Sequence, residues 1–484
     1  MILLNFFILG ILSALLFPPF FMLPLGLIVF PYLIKLFLDI STEKFFFFNY
    51  FSFGLCYGLG FLLVFLSWIY NPFLINEETK NYAILALIIP IFLSLFFGLG
   101  FTIYKYINNI FYLIIFTPFI FLLIELIISN IFYGFPWVTY SLTLSNNLLG
   151  FYLLKFFGTY VSSYLVLSIF ILPIIFIYFN RLEFKKSFIL IIYTPFFIAV
   201  IILLIINSNN SDLNKKISLE IFQILSPINK VDKDLIEKNI INKINTSNAE
   251  YLVFAENNYP YLISNISEIN IKKYIKEGQK VIIGATRIHD NKFYNSFLLL
   301  EKNNTQFFDK QILVPFGEFL PFRKYLTFME KITGTSDFTP GNSKRLIYSN
   351  DINILPVICY EIIFNKILKD INENKIDILI NITNDSWFGN KIGPYQHFYH
   401  SRMRALISNK NLIRVSNNGI SAIIDNEGKI INFSTLNTKN NLKNFLAFKN
   451  TNHYYFFHNL FLFYLILILL IYFIFIKYAL RNDK

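Results

Sequence analysis

A bundle of about eight membrane helices carrying an extracytoplasmic α/β domain is the fold class this sequence predicts. Three observations lead there. More than half of the 484 residues are hydrophobic (55%) and only 15% are charged, more apolar than an ordinary soluble domain. Long apolar stretches recur through the first two fifths of the chain, and most approach the ~20 residues that cross a bilayer core. After Asn207 the texture changes abruptly to short apolar runs separated by Asn, Asp, Lys and Gly, as in a water-soluble α/β domain.

The apolar stretches are Leu3 to Phe17, Leu23 to Leu38, Tyr50 to Tyr70, Tyr82 to Tyr104, Ile110 to Ile128, Gly158 to Phe179 and Phe188 to Ile206. The first two are short and interrupted by Phe17-Pro-Pro-Phe20 and Pro24, which fits tilted, re-entrant or hairpin-paired helices. No basic residue precedes the first run and no small-residue cleavage site follows it, so a cleavable signal peptide is not expected. The predicted organisation is a seven-helix bundle over 1–207, a catalytic domain over 208–450, a last helix over 456–476 and a short tail over 477–484.

Cations set the expected sidedness, because cytoplasmic loops retain Lys and Arg near helix ends. Lys35 with Lys44, then Lys105, then Arg181, Lys185 and Lys186, and finally Lys477, Arg481 and Lys484 fall on alternate loops. The opposite loops carry Glu77, Glu78 and Lys80, or no formal charge between Ser129 and Asn147. This pattern puts both termini in the cytoplasm and the polar domain outside it. Glu125 stands out as a carboxyl within a predicted span; a hydrogen-bonded structural carboxyl and a functional one are both open readings.

In the polar domain, Ile217 to Leu225, Tyr251 to Phe254, Val281 to Thr286, Phe293 to Leu300, Ile354 to Cys359, Ile376 to Ile382 and Leu412 to Ser416 read as strands. Helical patterns cover Ile228 to Ile244 and Gln396 to Ser408, and Asp425-Asn-Glu-Gly428 reads as a hairpin turn between Ile420 to Ile424 and Lys429 to Phe433. One sheet covered on one face by helices fits this order.

The net charge of +12 comes from scattered Lys and Arg without a dense basic stripe, which favours a membrane surface over nucleic acid as partner. Two cysteines cannot build a disulfide framework, and Cys56 lies in an apolar run while Cys359 lies in the polar region. Three chemically useful residues follow strands: Glu256, Lys310 and Cys359. Sheet ends are where catalytic groups gather in α/β folds. A thiol attacks an acyl carbon well only as thiolate, so Cys359 needs a base and a cation, the roles open to Glu256 and Lys310. Taken singly, each also reads as a buried hydrophobe or a solvated turn residue. His397 and His400 stand at helical spacing, but no further ligand cluster accompanies them, so they are read as packed, hydrogen-bonded histidines and no metal or cofactor is expected.

Longer strings sharpen this. Phe308-Asp-Lys-Gln-Ile-Leu-Val-Pro-Phe-Gly-Glu-Phe-Leu-Pro-Phe322, Pro356-Val-Ile-Cys-Tyr-Glu361 and Asn381-Ile-Thr-Asn-Asp-Ser-Trp-Phe-Gly389 resemble the nitrilase-superfamily domain of bacterial apolipoprotein N-acyltransferases. Gly393-Pro-Tyr-Gln-His397, Arg402-Met-Arg-Ala405 and Ser416-Asn-Asn-Gly-Ile-Ser-Ala422 resemble its closing motifs, and Phe17-Pro-Pro-Phe20 with Gly134-Phe-Pro-Trp137 resemble its membrane-region signatures. The chain departs from the family pattern at Ala255, where a Pro usually precedes the acid, and in having no tryptophan between Ser226 and Tyr251.

The resemblance implies an α-β-β-α sandwich and a catalytic triad on Glu256, Lys310 and Cys359. It also implies supporting roles for Glu318, Tyr360 and Glu361, with Phe316, Trp387, Phe388 and Trp137 as substrate-binding or lid candidates. The implied reaction moves the sn-1 acyl chain of a membrane phospholipid, through a Cys359 thioester, to the amine of a diacylglyceryl-cysteine lipoprotein. A monomer in a bacterial inner membrane is the implied setting. Two other readings are weighed against it. A membrane-tethered amidase or nitrilase would use the same triad, but a tether needs only one helix. A transporter or lipid-binding protein with an inactive domain would show broken helices and buried charge pairs, which the helices, apart from Glu125, do not offer.

Overall fold

The computed structural model describes residues 1–41, 45–178, 201, 213–227, 232–265, 268–350, 352–373, 375–449, 460–467 and 470. The chain forms two compact units. One comprises Met1–Phe65, Ile88–Asn210 and His453–Lys484, and the other Leu66–Leu87 with Ser211–Asn452.

In the first unit the described helices are Ile2–Ala14, Gly26–Ile40, Phe47–Phe65, Ile88–Phe101, Ile110–Asn130 and Leu148–Ile177. Among the described residues, five stretches of helix, counted with their 3-10 flanks, are long and apolar enough to cross a membrane. The last begins ten residues before the expected Gly158, because the Asn147 side chain caps it by accepting from Gly150 N at 2.7 Å. Gly158 then interrupts it at φ 68°. Of the expected seventh helix over Phe188 to Ile206, residue 201 alone is described, as helix; the rest of it, the tail over 477–484, Lys44 and the cations from Arg181 onward used for sidedness lie outside the described residues. Of the expected final helix, residues 460–467 and 470 are described, and they are helical.

Glycines bring three of these helices into backbone contact. A Cβ on Gly10 would lie 2.1 Å from the Tyr57 carbonyl oxygen, one on Gly60 2.1 Å from that of Phe7, and one on Gly54 2.3 Å from that of Phe97. Where lipid removes the hydrophobic drive between helices, such close small-residue contacts supply the packing. Glu125 is buried in this unit, where its carboxylate accepts from Thr139 Oγ1 (2.6 Å), Ser163 Oγ (3.0 Å) and Tyr140 N (3.0 Å). Much of the uncharged segment after it is folded in, since Trp137 through Ser145 are buried, while Ile131, Phe132 and Tyr133 stay exposed.

The second unit holds two six-stranded sheets, where the strand order alone suggested one. The first runs β12-β1-β2-β3-β4-β5, built from β1 (Leu213–Gln223), β2 (Tyr251–Phe254), β3 (Lys280–His289), β4 (Lys292–Leu300), β5 (Thr305–Asp309) and β12 (Asn440–Lys449). The second runs β11-β10-β9-β8-β7-β6, from β6 (Ile347–Ser349), β7 (Ile352–Ile358), β8 (Ile378–Thr383), β9 (Asn411–Ser416), β10 (Ser421–Ile424) and β11 (Ile430–Ser434). β6 and β12 escaped the sequence reading: β6 is short, and β12 is rich in Asn and Lys because it pairs at a sheet edge, antiparallel to β1.

Alternation along the strands builds the sandwich. Leu219 and Ile221, Val253, Ile282, Phe297 and Leu299 from the first sheet share one apolar core with Ile354, Ile358, Ile378, Ile380, Ile382, Ile413 and Val415 from the second. Tyr251 OH and Ser349 Oγ, 2.8 Å apart, cross it. On the outer face of the first sheet Phe222, Leu252, Phe254, Ile283 and Leu298 pack with Ile240 and Ile244 of the helix Lys233–Thr246. The helices Ile367–Glu373 and Gly393–Ser408 make the crossovers that leave β7, β8 and β9 parallel. β2 likewise runs parallel to β1 and β3.

Gly284 of β3 marks the tightest approach near the end of β2. A Cβ there would sit 2.6 Å from Glu256 Cα and Asn257 N, both backbone, so neither neighbour can rotate away. Gly284→Ala is expected to cost about 1–3 kcal/mol through overpacking and to displace Glu256. A lowered thermal midpoint together with reduced turnover of the purified chain checks this.

Candidate active site

Parallel strands end side by side, so residues far apart in sequence meet at one rim. Glu256 follows β2, Lys310 follows β5, Cys359 follows β7 and Asn384 follows β8. The three sequence-predicted residues do come together there: Glu256 and Cys359 are 5% exposed and Lys310 1%.

Lys310 is the centre of the charge arrangement. Its ammonium lies 2.8 Å from Glu318 Oε1 and 3.7 Å from Glu256 Oε1. Asn295 on β4 ties both acids, donating through Nδ2 to Glu256 Oε1 (2.8 Å) and Glu318 Oε1 (2.9 Å). Glu256 Oε2 accepts from Asn384 N at 2.8 Å, and Glu318 Oε2 accepts from Val314 N at 2.8 Å. Burial works against the Lys310 charge, but Glu318, Glu256 and Cys359 together hold its pKa well above the ordinary lysine value. Burial raises the Glu256 pKa; Lys310 opposes this, Glu318 adds to it, and a hydrogen bond with the Cys359 thiol lowers it. The Cys359 thiol is pushed up strongly, by burial first and then by the Glu256 charge, with Lys310 pulling the other way.

Cys359 itself has φ 49°, in the left-handed region that non-glycine residues seldom adopt. The chain turns there from β7 into a 3-10 turn, Cys359–Ile363. Glu361, fully buried, pins that turn: its carboxylate accepts from Ile358 N (3.0 Å), Gln311 N (2.8 Å) and Ile312 N (3.2 Å), and pairs with Arg345 at 2.8 Å through both guanidinium nitrogens. Burial alone would raise the Glu361 pKa, yet Arg345 and the backbone donors bring it below the usual glutamate value. Tyr360 is buried beside it, edge-on to Phe364.

A second buried cluster lies on the other side of the turn. His397 Nε2 lies 3.2 Å from the Cys359 carbonyl oxygen, which can only accept, so this contact uses the tautomer protonated on Nε2; Nδ1 then accepts from Arg414 at 3.2 Å and lies 2.8 Å from Asp385 Oδ1. Arg414 donates to Asp385 Oδ2 at 2.6 Å. Burial and Arg414 lower the His397 pKa against the pull of Asp385, and Asp385 itself is depressed by Arg414 and His397 despite its burial.

The other candidates separate. Phe388 is half-buried, edge-on to His397 (5.2 Å) and to Trp68 (4.9 Å). Trp68 in turn donates from Nε1 to Gln396 Oε1 at 2.9 Å, and Asn71 Nδ2 donates to the Phe388 carbonyl at 3.2 Å. The segment Leu66–Leu87, which the sequence reading divided between two spans and their loop, therefore packs on the loop after β8. Trp387 is 42% exposed and Phe316 44%, and Phe322 and Tyr325 are more open still. Their loop is stapled by Arg323, which pairs with Asp337 and Glu330. Trp137 lies in the first unit, fully buried.

Sequence reasoning missed Asn295, Arg345, Trp68, Arg414 and the coupling of Asp385 to His397. Only Asn384 and Asp385 carried a signal, inside the Asn381 to Gly389 string; the others sit in unremarkable local sequence and gain meaning from tertiary contacts.

Breaking the Arg345 pair leaves a buried guanidinium without its main counter-charge. Glu361→Gln is expected to lower stability by about 3–5 kcal/mol. Because the folded-state pKa of Glu361 is depressed, its contribution is complete above the unfolded glutamate pKa and fades as pH falls towards the folded value. The gap between wild type and Glu361→Gln in thermal unfolding should accordingly narrow in acid.

Comparison with known proteins gives the family. Residues 9–172 match a family model described as the apolipoprotein N-acyltransferase N-terminal domain, and residues 270–442 one described as carbon-nitrogen hydrolase. The chain is 32% identical over 470 residues to the apolipoprotein N-acyltransferase of Rickettsia typhi, covering 92% of each. It is 31% identical over 409 residues to that of Wigglesworthia glossinidia brevipalpis, covering 78% and 79%. Among solved structures, Saccharomyces cerevisiae Nit3, a member of branch 10 of the nitrilase superfamily, aligns with 50% of this chain and 93% of its own at 16% identity and a TM-score of 0.39. With apolar membrane-length helices before a two-sheet nitrilase-like domain, and relatives matched across nearly the whole length, the chain belongs to the apolipoprotein N-acyltransferase family and is an acyltransferase.

Proposed function

We propose that this enzyme transfers an acyl chain from a membrane phospholipid to the N-terminal amine of a diacylglyceryl-cysteine lipoprotein, through a thioester on Cys359. The observation that carries the reading is the buried set of Cys359, Glu256 and Lys310 at one sheet rim, in a chain whose relatives are named for lipoprotein acylation.

In the first half-reaction Glu256 takes the Cys359 proton as sulfur attacks the sn-1 ester carbonyl. The tetrahedral oxyanion faces Lys310 and the backbone N–H of Tyr360, donors of a kind worth roughly 10² to 10³ in rate apiece. Collapse breaks the ester C–O bond, Glu256 returns the proton to the departing lyso-phospholipid alkoxide, and the acyl group stays on sulfur. In the second half-reaction the lipoprotein amine attacks the thioester, Glu256 accepts its proton, and as the C–S bond breaks Glu256 returns that proton to the departing sulfur, giving the amide and regenerating the thiol.

Glu318 holds Lys310, and Glu361 holds the nucleophile turn; neither is assigned to substrate. Phe316, Trp387 and the exposed Phe322 and Tyr325 are proposed as the apolar cover that meets acyl chains, with Phe388 packed behind them. Trp137 is proposed as a substrate-side residue of the helix bundle. The alternation of loop cations in the sequence supports a topology with both termini in the cytoplasm of a bacterium and the catalytic domain on the periplasmic side of its inner membrane. A monomer suffices, since the triad comes from one chain.

Incubation with phospholipid alone should trap an acyl adduct on Cys359, visible as an intact-mass increase and released by hydroxylamine. Cys359→Ala should fold, carry no adduct and transfer nothing. Transfer by the Ala variant, or ready turnover of a small amide without any adduct, would replace this reading with the amidase one.

The pH profile gives a separate check. Glu256 must be ionised to accept the thiol proton, and burial raises its pKa. Thioester formation should rise with pH through an apparent pKa above the free glutamate value of about 4.3. Glu256→Gln should abolish that limb along with most of the rate.

A further inference from the structure

Three ionisable side chains with no solvent exposure lie beneath the nucleophile turn, and the proposed chemistry uses none of them. Asp385 leaves the end of β8, His397 stands in the first turns of the helix Gly393–Ser408, and Arg414 lies within β9; all three side chains are fully buried. Burying charge in this way is costly unless every group is paired. Here the pairing is extensive. Arg414 donates to Asp385 Oδ2 (2.6 Å), Asn381 Oδ1 (2.7 Å), Ser401 Oγ (2.9 Å) and the Ile420 carbonyl (3.1 Å). Thr383 Oγ1 adds a donor to Asp385 Oδ1 at 3.0 Å.

A cluster that only joined β8, β9 and the helix could end on any backbone group. This one ends on the carbonyl oxygen of Cys359, which accepts from His397 Nε2 at 3.2 Å. Cys359 occupies left-handed φ, a conformation that costs of order 1–3 kcal/mol and persists only where the surroundings impose it. In a planar trans peptide the carbonyl oxygen and the following N–H point in opposite directions. Holding the Cys359 oxygen on the His397 side therefore turns the Tyr360 N–H to the opposite face of the turn.

We propose that His397, itself held by Asp385 and Arg414, is a positioning residue that fixes the Cys359–Tyr360 peptide so that the Tyr360 N–H meets the oxyanion of the acylation step. The inference rests on Cys359 being the acylated nucleophile. It assigns His397 no proton transfer and no contact with substrate. Phe388, edge-on to the imidazole at 5.2 Å and backed by Trp68, closes the remaining side of the ring.

The test compares His397→Asn with His397→Gln in the full-length protein in lipid nanodiscs, reading single-turnover thioester formation on Cys359, donor KM and thermal midpoint. The longer Gln amide reaches the position of Nε2 and keeps a donor for the Cys359 carbonyl; the Asn amide stops near Nδ1 and does not. His397→Asn should slow acylation about 10²-fold with donor KM within about threefold of wild type, and His397→Gln should recover at least about tenfold of that loss.

Equal acylation rates in the two variants, or a loss carried by KM, would overturn the assignment. Gly419→Ala provides a second arm that keeps every residue of the cluster but displaces Asp385, since its Cβ would come within 2.0 Å of Asp385 Oδ2. Folded Gly419→Ala should acylate slowly at unchanged donor KM; acylation at the wild-type rate would count against the proposal. Failure of the nucleophile reading is distinguishable, because the wild-type chain would then form no thioester on Cys359 at all.

Discussion

The domain is organised around one buried cation. Lys310 has almost no access to water, and an ammonium there is tolerable only because two carboxylates and the nucleophile surround it. Those partners come from β2, the loop after β5 and the turn after β7, in two different sheets. The sandwich must close to its full register before the charge is satisfied, and a half-formed rim would leave it unpaired. Asn295 extends the same logic by donating to both acids, which keeps Glu256 and Glu318 from separating.

Backbone geometry at Cys359 depends on a comparable surplus of anchors. Glu361 holds the amide of Ile358 before the turn and the amides of Gln311 and Ile312 across from it, while His397 holds the carbonyl of Cys359. The loop that delivers Lys310 and the turn that delivers Cys359 are therefore fastened to one carboxylate. A residue such as Glu361, two positions after the nucleophile in sequence, acts through the frame and not through the substrate.

Much of this was legible in the sequence, and the reasons differ by residue. Glu256, Lys310 and Cys359 follow apolar runs that read as strands, so their placement at strand ends was available from hydrophobic pattern alone. The long apolar runs likewise announced the helices, although Leu148 to Phe157 was missed because Lys155 interrupts it and the polar Ser145-Asn-Asn147 before it reads as loop until Asn147 is seen capping the helix. The second sheet was not legible from strand order, because periodicity says which residues face a core and not which strands share one. Arg345 and Arg414 were invisible for a related reason: an arginine in a polar region reads as solvated, and only tertiary contact reveals that it is buried and paired. Trp68 sat at the edge of an apparent membrane span, where an aromatic residue usually marks an interface; its indole instead packs against the loop that carries Asp385 and Phe388.

The charges at the rim also bear on why the thiol is held protonated. Glu256, Glu318 and Lys310 already leave the cluster one negative charge in excess, and a resident thiolate would double that in a site with little water to screen it. Burial and Glu256 accordingly push the Cys359 pKa up. Passing the proton from sulfur to Glu256 leaves the total unchanged, so nucleophile formation in step with attack avoids the penalty that a free thiolate would meet. Once the negative charge has moved from sulfur to the substrate oxygen, Glu256 is neutral and one competitor for the ammonium is gone. Lys310 is then balanced by Glu318 alone, and its remaining field is available to the oxyanion, so a single proton transfer both generates the nucleophile and strengthens the group that stabilises what it forms.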